Sequence, residues 1–413
     1  LARSVSFQKS GFAASFSSSF SRFSFSGRSK IAPQRLGALR KAAQSLFDVG
    51  YILELSHAGQ IRENRDNRQF HSGLALPRRA RLRAVFKPTS EALAGLSDEI
   101  ALWMAEPPAP GELERLFAET DPAQALVKVV FTRERSWHFE AKSQPTNYYL
   151  QSITPFLAEI FEYGEFPAGG FLIVVSDGVH LTPSAPVFGF SKKRSDEKTL
   201  LLPDPFYLST RGYEASLPLI ESGRVPWSER ASSCFWRGSS TGRSLGPEDW
   251  RDNQRIALCL LAKEINDPTF LDAKITDVVQ CTSPEVGEIV RAAGLTGERV
   301  PVSTFLNYRY LIDIDGNSTA WGLFEKLYMG CVVLKVEGTW TQWFYPKLHP
   351  WKHYIPVTAD LSDLIEKITW AREHDGECQE MISNCKQLVR ELNYQEVVKH
   401  YREILSQVVS LGS

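Results

Sequence analysis

Three short stretches carry side chains whose chemistry depends on being brought together. The first, FWRGSSTGR at 235–243, runs two aromatics into Arg237, then through Gly238, Ser239, Ser240, Thr241 and Gly242 to Arg243. Exposed backbone N–H groups, hydroxyls and flanking guanidiniums are the parts that hold a diphosphate, through charge-assisted and bidentate hydrogen bonds. A plain Ser/Gly turn has the same composition, so residue types alone leave both readings open. The spacing does exclude the two common phosphate loops, because neither GxxxxGK[ST] nor GxGxxG fits.

The second stretch is IDIDG, in which Asp313 and Asp315 stand two apart and share one strand face. Such a pair at the mouth of a sheet can hold Mg²⁺ or Mn²⁺ beside a nucleotide. No further hard ligand is fixed nearby by spacing. A strand end whose carboxylates bond to backbone or sugar hydroxyls is therefore favoured, and no metal is assigned. The third is GGFLIVVSDG, where a continuous apolar run ends in Ser176, Asp177 and Gly178. Asp177 is a candidate general base if its neighbours aim it at a hydroxyl, and otherwise a turn residue. His180, close behind it, orients a substrate or does nothing. An aromatic segment, EGTWTQWFYPKLHPWKHYIPV, offers rings that stack on sugars or fill a core. Its His349 and His353 straddle Pro350, which spoils a helical zinc pair. GxSxG is missing, so hydrolase chemistry lacks its usual signal.

The elements that must position these residues alternate. The spacing predicts short helices in SDEIALWMAEPP and PGELERLFAET, a strand in ALVKVVFTRE and a helix over Asn147–Gly164. GGFLIVV reads as a strand covered on both faces, with its polar end where open α/β sheets place ligands. The second half repeats the style. SCFWRG is a strand, Pro247–Ile265 a helix, AKITDVVQ a strand and SPEVGEIVRAAGL a helix. YRYLIDIDG is a strand, WGLFEKLYMG a helix, CVVLKVE a buried strand and ADLSDLIEKITWAREH a helix capped by Asp360 or Asp363. This alternation argues for doubly wound α/β domains. The expected divisions are an N-terminal segment at 1–47, a first α/β domain at 48–224, a second at 225–390 and a C-terminal helix at 391–413.

Composition limits the function classes. The chain has 413 residues, 43% of them hydrophobic and 23% charged, with a net charge of −1, so a nucleic acid is not an expected partner. Its six cysteines show no CxxC pairing and no zinc spacing, and are read as buried free thiols. Residues 1–47 hold no Asp or Glu and are rich in Ser and basic residues, with Phe12, Phe16, Phe20 and Phe23 at helical spacing. A mobile tail, a membrane-surface helix and a transit peptide all fit, the first two better. Residues 36–56 read as an amphipathic helix, and the basic run at Pro77–Lys87 as a strand edge and solvated face. No apolar run is long enough to span a membrane. Without an apolar core of 7–15 residues behind the first charges, the expected location is cytoplasmic, peripheral to the inner membrane through the basic N-terminal segments.

The second half resembles glycosyltransferase family 90, which holds Rumi-type protein O-glucosyltransferases, fungal capsule xylosyltransferases and bacterial lipopolysaccharide-modifying proteins. The stretch YLIDIDGNSTAWGLFEKLYMGCVVLKVE, followed by WFYPKLHPWKHYIPVTADLSDLIEKITWAREHDGE, carries the likeness, with PWSERASSCFWRGSSTG and Arg255 in the same pattern. The form DIDG…GLF.KL is similar to the bacterial branch. The resemblance implies a GT-B-like fold of two Rossmann-like domains facing a cleft, with the C-terminal helix packing back on the first domain. It implies a UDP-sugar co-substrate of the glucose or xylose class, and inverting transfer without metal or other cofactor. The implied acceptor is a hydroxyl of a glycan or lipid-linked saccharide in lipopolysaccharide or capsule synthesis. Protein O-glycosylation and a non-catalytic nucleotide-sugar- or glycan-binding module are the alternatives.

Carried over by motif, Asp177 is the base. Arg237, Gly238, Ser239 and Arg255 grip the donor diphosphate, and Asp315, Gly316, Asn317 and Ser318 line the nucleotide and donor-sugar side. Ser240, Thr241, Arg243, Trp321 and His180 are further donor or acceptor contacts. Two departures stand out. Ser176 replaces an arginine of the family pattern, and Gly322-Leu323 stand where animal members carry another. One phosphate contact is therefore expected from elsewhere, such as Arg243 or a helix N-terminus.

Overall fold

The computed structural model describes residues 62–63, 69–71, 93, 95–132, 136–142, 147–163 and 166–411. The expectations for the segment 1–47, the helix at 36–56 and the strand edge at 77–87 lie outside these residues.

The apolar run at 169–174 becomes strand β5 (Gly169–Val174) and explains the first domain. Its side chains alternate between two cores. Phe171 and Ile173 join a large cluster with Ile153, Phe156 and Leu157 of helix α3 (Asn147–Tyr163). Leu172 and Val174 join a smaller one with Leu113 of helix α2 (Glu112–Glu119) and with Leu126 and Val187. Both faces are covered, so no polar residue is tolerated until Ser176. Helix α1 (Glu99–Ala105) adds Ile100 and Trp103 to the larger cluster.

The seven-stranded sheet around β5 has the order β1-β2-β4-β3-β5-β6-β8. Here β1 is Arg62–Glu63, β2 Gln69–His71, β3 Leu126–Phe131, β4 Trp137–Ala141, β6 Val187–Gly189 and β8 Leu200–Leu201. The sheet is mixed. β3 runs antiparallel to β5, while β6 and β8 continue it in parallel. Short helices α4 (Pro205–Ser209) and α5 (Ser216–Ser222) then lead out of it.

The second sheet has the order β10-β9-β11-β12-β14, and every pair is parallel. Its strands are β9 (Ala231–Ser239), β10 (Leu271–Asp277), β11 (Tyr308–Asp313), β12 (Val332–Val336) and β14 (Ile355–Val357). Parallel neighbours need crossovers, which α6 (Gln254–Ile265), α7 (Pro284–Ala292) and α8 (Leu323–Tyr328) supply. One face of β9, β11 and β12 packs Cys234, Trp236, Tyr310, Ile312, Val332 and Leu334 into this domain's own core. From the other face Phe235, Leu311 and Val333 enter the large cluster shared with the first domain. The result is the GT-B-like pair of Rossmann-like α/β domains facing a cleft.

Two connections tie the pair together. Strand β7 (Lys192–Lys193) pairs antiparallel with β13 (Trp340–Thr341), so each domain contributes one side of a small ribbon. After α9 (Leu364–Glu373) and α10 (Asp375–Glu391), helix α11 (Tyr394–Leu411) returns to the first domain. There Tyr401 Oη donates to the Leu201 carbonyl at 2.7 Å, and Ser97 Oγ lies 3.0 Å from His400 Nε2.

Two boundaries differ from the sequence reading. β9 runs on to Ser239, one residue past the expected strand SCFWRG, so Ser239 is a strand residue rather than a loop residue. The helix expected from Pro247 starts at Gln254, because Asp249 is engaged with Gly246 N and Arg243 while Asn253 takes the capping role. All six cysteines are free, and five of them are buried.

Candidate active site

Asp177 sits just past the end of β5, in a turn held from several sides. Ser176 Oγ donates to the Gly178 carbonyl (2.9 Å), Ser191 Oγ to the Asp177 carbonyl (2.6 Å) and Val179 N to the Ser191 carbonyl (3.0 Å). Gly178 is required here, since a Cβ would overlap the Trp340 ring. Both carboxylate oxygens of Asp177 accept hydrogen bonds. Tyr149 Oη on α3 donates to Oδ1 at 2.6 Å, and Asn317 Nδ2 of the opposite domain donates to Oδ2 at 2.9 Å. Burial and the adjacent Asp177 charge push the Tyr149 phenol well above its ordinary value, so it remains a donor. Its ring stacks on Phe190 (5.6 Å between centroids) and meets Trp321 edge-on at 6.0 Å.

Asn317 is oriented by its own neighbours. Its Oδ1 accepts from Gly242 N (3.1 Å) and Gln280 Nε2 (2.9 Å), which leaves its amide NH₂ facing Asp177. The turn before it is closed by Gly316 N donating to the Ser318 carbonyl at 2.9 Å, and Ser318 is buried. Gly316 lies against the Arg255 guanidinium and Thr241 Oγ1, each 2.8 Å from where a Cβ would stand. The strand-end turn of the second domain, the 238–242 loop and Asp177 therefore meet at one point of the cleft.

The arginines are placed there in a way their types did not reveal. Arg255 donates to the carbonyls of Asp315 (2.9 Å), Ser239 (3.1 Å) and Ile314 (3.1 Å) and to Thr241 Oγ1 (2.7 Å). It braces two loops, and burial lowers its pKa. Arg237 pairs with Asp272 at 2.8 Å, also donates to the Trp236 carbonyl, and lies over the Phe235 ring at 4.4 Å. Arg243 turns outward to Asp249 (2.6 Å) and Asp252 (3.2 Å). Ser240 is fully buried, accepting from Val279 N and donating to the Val279 carbonyl. Ser239 Oγ lies 3.3 Å from Thr241 Oγ1. The cradle is therefore built of loops that arginines and buried hydroxyls hold in shape.

The two aspartates of IDIDG part company. Asp313 is fully buried with Lys326 at 2.9 Å and Lys335 at 3.5 Å, and those charges hold its carboxyl below the usual range. It does not share a free face with Asp315 for one cation. Asp315 is 9% exposed, and neither of its oxygens has a hydrogen-bond partner in the protein. Burial pushes its pKa up to about 6, with the Asp313 charge adding and Lys335, Arg255 and Arg194 opposing. An unpartnered carboxyl at a cleft is suited to a ligand's hydroxyl or amide. Trp321 Nε1 and Thr319 Oγ1 are likewise buried without partners. His180 is exposed, its ring edge-on to Trp340 at 5.2 Å, beside a groove of about 480 Å³ lined by Val179, Thr182, Lys193 and Glu197 among others.

Sequence reasoning missed Tyr149, Gln280 and Asn253. Asn253 Oδ1 caps α6 through Arg255 N and Ile256 N, while its Nδ2 donates to the Ser240 (3.1 Å) and Arg243 (3.0 Å) carbonyls. Its place directly before an apolar helical run was a capping signal. Nothing local marked Tyr149, whose partner is 28 residues away.

Residues 176–411, starting one position before Asp177, match the family model for Glycosyl transferase family 90. The chain belongs to glycosyltransferase family 90. Human Protein O-glucosyltransferase 3 is 31% identical over 204 residues, covering 47% of this chain and 36% of that protein. Rat Protein O-glucosyltransferase 1 is 25% identical over 244 residues, covering 55% and 57%. The chain thus spans between about a third and just over half the length of these relatives. Among solved structures, a glycosyltransferase from Rickettsia africae aligns with a TM-score of 0.34 and 12% identity over 54% of this family 90 chain and 63% of its own. The Anabaena protein HepE in complex with UDP gives 0.34 and 9% over 54% and 64%. No helix among the described residues is long and apolar enough to cross a membrane.

Proposed function

We propose that the chain is an inverting glycosyltransferase that moves a sugar, of the glucose or xylose class, from a UDP-sugar to an acceptor hydroxyl. The observation that carries this reading is Asp177, fixed at a strand end by Tyr149 and by Asn317 of the facing domain. A carboxylate has about four lone-pair positions, so two donors still leave room for an acceptor hydroxyl. Asp177 takes the hydroxyl proton as that oxygen bonds to the anomeric carbon. The bond from that carbon to the diphosphate breaks on the opposite face, and UDP leaves with the electron pair. The Ser239 and Thr241 hydroxyls of the 238–242 loop, 3.3 Å apart, face the charge that develops on the leaving group. Asp315, unpartnered in the protein, accepts from donor hydroxyls.

A glycan or lipid-linked saccharide is the proposed acceptor, as in lipopolysaccharide or capsule assembly. Protein O-glucosylation is the second reading, favoured by the names of the relatives. The test is UDP release from a panel of UDP-sugars with a saccharide or a folded protein as acceptor. Asp177→Asn is expected to lower turnover by about 10²–10⁴ with UDP affinity unchanged. Equal turnover by wild type and variant would refute the base. UDP binding without turnover on any acceptor would favour a binding module.

A further inference from the structure

The three arginines of the proposed donor cradle already pair within the protein, Arg237 through its terminal nitrogens while its Nε has no partner among the described residues. Moving Arg255 onto a phosphate would orphan three backbone carbonyls, and moving Arg237 would strip Asp272 of its partner. Arg243 is paired with two carboxylates on the outside. A cation that gives up no protein partner binds a diphosphate at the least cost.

Arg194 is such a cation. It follows β7 on the ribbon that joins the domains, and its backbone N donates to the Thr339 carbonyl at 2.9 Å. Its guanidinium is exposed and has no hydrogen bond or ion pair among the described residues. Arg194 lies in the turn just after the ribbon, closed by Asp196 N donating to the Lys193 carbonyl at 3.0 Å, and it is not among the residues lining the groove beside His180. The ribbon's other strand places this turn near the donor side. Gly338, next to Thr339, lies so close to Asp315 that a Cβ there would overlap Oδ2, and the Arg194 charge is felt at that carboxyl. Lys193, its neighbour, is already held by Thr339 Oγ1 (3.0 Å) and the Trp340 ring (3.9 Å).

We propose that Arg194 is the side chain that binds the diphosphate of the nucleotide sugar, reaching it from the interdomain ribbon. The proposal rests on the nucleotide-sugar reading above. Both phosphates are acceptors only, so a planar fork with five N–H donors suits them. Binding converts an exposed, unpaired cation into a charge-assisted pair without breaking a contact in the protein.

The test is calorimetric titration of the full chain with UDP and with uridine, comparing wild type, Arg194→Met and Arg194→Lys. The expected result is UDP affinity weakened about 10- to 100-fold in Arg194→Met and partly retained in Arg194→Lys, with uridine affinity unchanged. The melting temperature of both variants should match wild type, because the exposed side chain has no hydrogen bond or ion pair among the described residues. Unchanged UDP affinity in Arg194→Met, or an equal loss of uridine affinity, overturns the proposal while the nucleotide-sugar reading stands. If wild type binds neither UDP nor UDP-glucose nor UDP-xylose, both fall together.

Discussion

Asn253 is the residue on which the cradle's shape can be tested most directly. It is 1% exposed and its two amide ends perform different tasks. Oδ1 caps α6, a role whose loss typically costs about 1 kcal/mol. Nδ2 holds the Ser240 and Arg243 carbonyls. The Ser240 bond is buried, and leaving a buried carbonyl unsatisfied costs about 1–3 kcal/mol. The Arg243 carbonyl is only partly buried, so water recovers much of that loss. Asn253→Ala should therefore destabilise the chain by about 3 kcal/mol. Asn253→Ser keeps a capping hydroxyl too short to reach the loop, and should cost about 2 kcal/mol. Urea unfolding followed by tryptophan fluorescence senses this domain, whose core holds Trp236 and Trp250, along with the first-domain cluster that holds Trp103 and Trp343. UDP titration of the Ser variant then asks whether the loop alone shapes the site, and a weakened affinity is expected. If Asn253→Ser matches wild type in stability and in UDP affinity, the Nδ2 bonds do not hold the cradle and the reasoning fails.

Three further outcomes follow from the geometry. Tyr149→Phe removes a charge-assisted bond and should lower kcat about 10-fold while leaving UDP affinity unchanged; a change confined to UDP affinity would contradict a role at Asp177. Asp315 keeps its proton in the folded chain up to about pH 6, whereas the unfolded chain releases it near 4. Its contribution to stability is thus present at low pH and lost as pH rises from about 4 through 6, so Asp315→Asn should flatten that part of the urea-unfolding profile. An unchanged slope would show the carboxyl to be solvated. Gly178→Ala must displace the Trp340 ring and should lower both the melting temperature and turnover; a variant with wild-type values of both would mean the ribbon does not need that contact.

Much of the second domain was legible because each strand and helix carries its own pattern. Val332–Val336 is buried throughout and reads as an unbroken apolar run apart from Lys335. Gly330, past the end of α8, has the positive φ of 71–73° seen at helix ends, as does Gly294 after α7. The stretch FWRGSSTGR was legible as a strand end running into a loop but not in its internal contacts. Arg237 is paired with Asp272, 35 residues on, and Arg255 with carbonyls 59 and 60 residues on. Residue type announces a guanidinium; only the fold decides whether its donors are already taken. Arg194 is the converse, an ordinary basic residue in KKR made notable by a side chain with no hydrogen bond or ion pair among the described residues. The mixed first sheet was also hidden, because a strand covered on both faces looks alike whether its neighbours run parallel or antiparallel.

The return of α11 to the first domain has a consequence for how the chain is made. Tyr401 and Leu405 complete the core around Phe156 and Phe171, yet the bond from Tyr401 to Leu201 spans 200 residues. A ribosome adding about 5–20 residues per second needs roughly 10–40 s to cover that distance. For that interval the nascent first domain presents an uncovered apolar face, and the second domain gains its last strand, ending at Val357, before that face is covered. The domain begun first is therefore the last to be finished, and a chaperone has a defined stretch of synthesis in which to act.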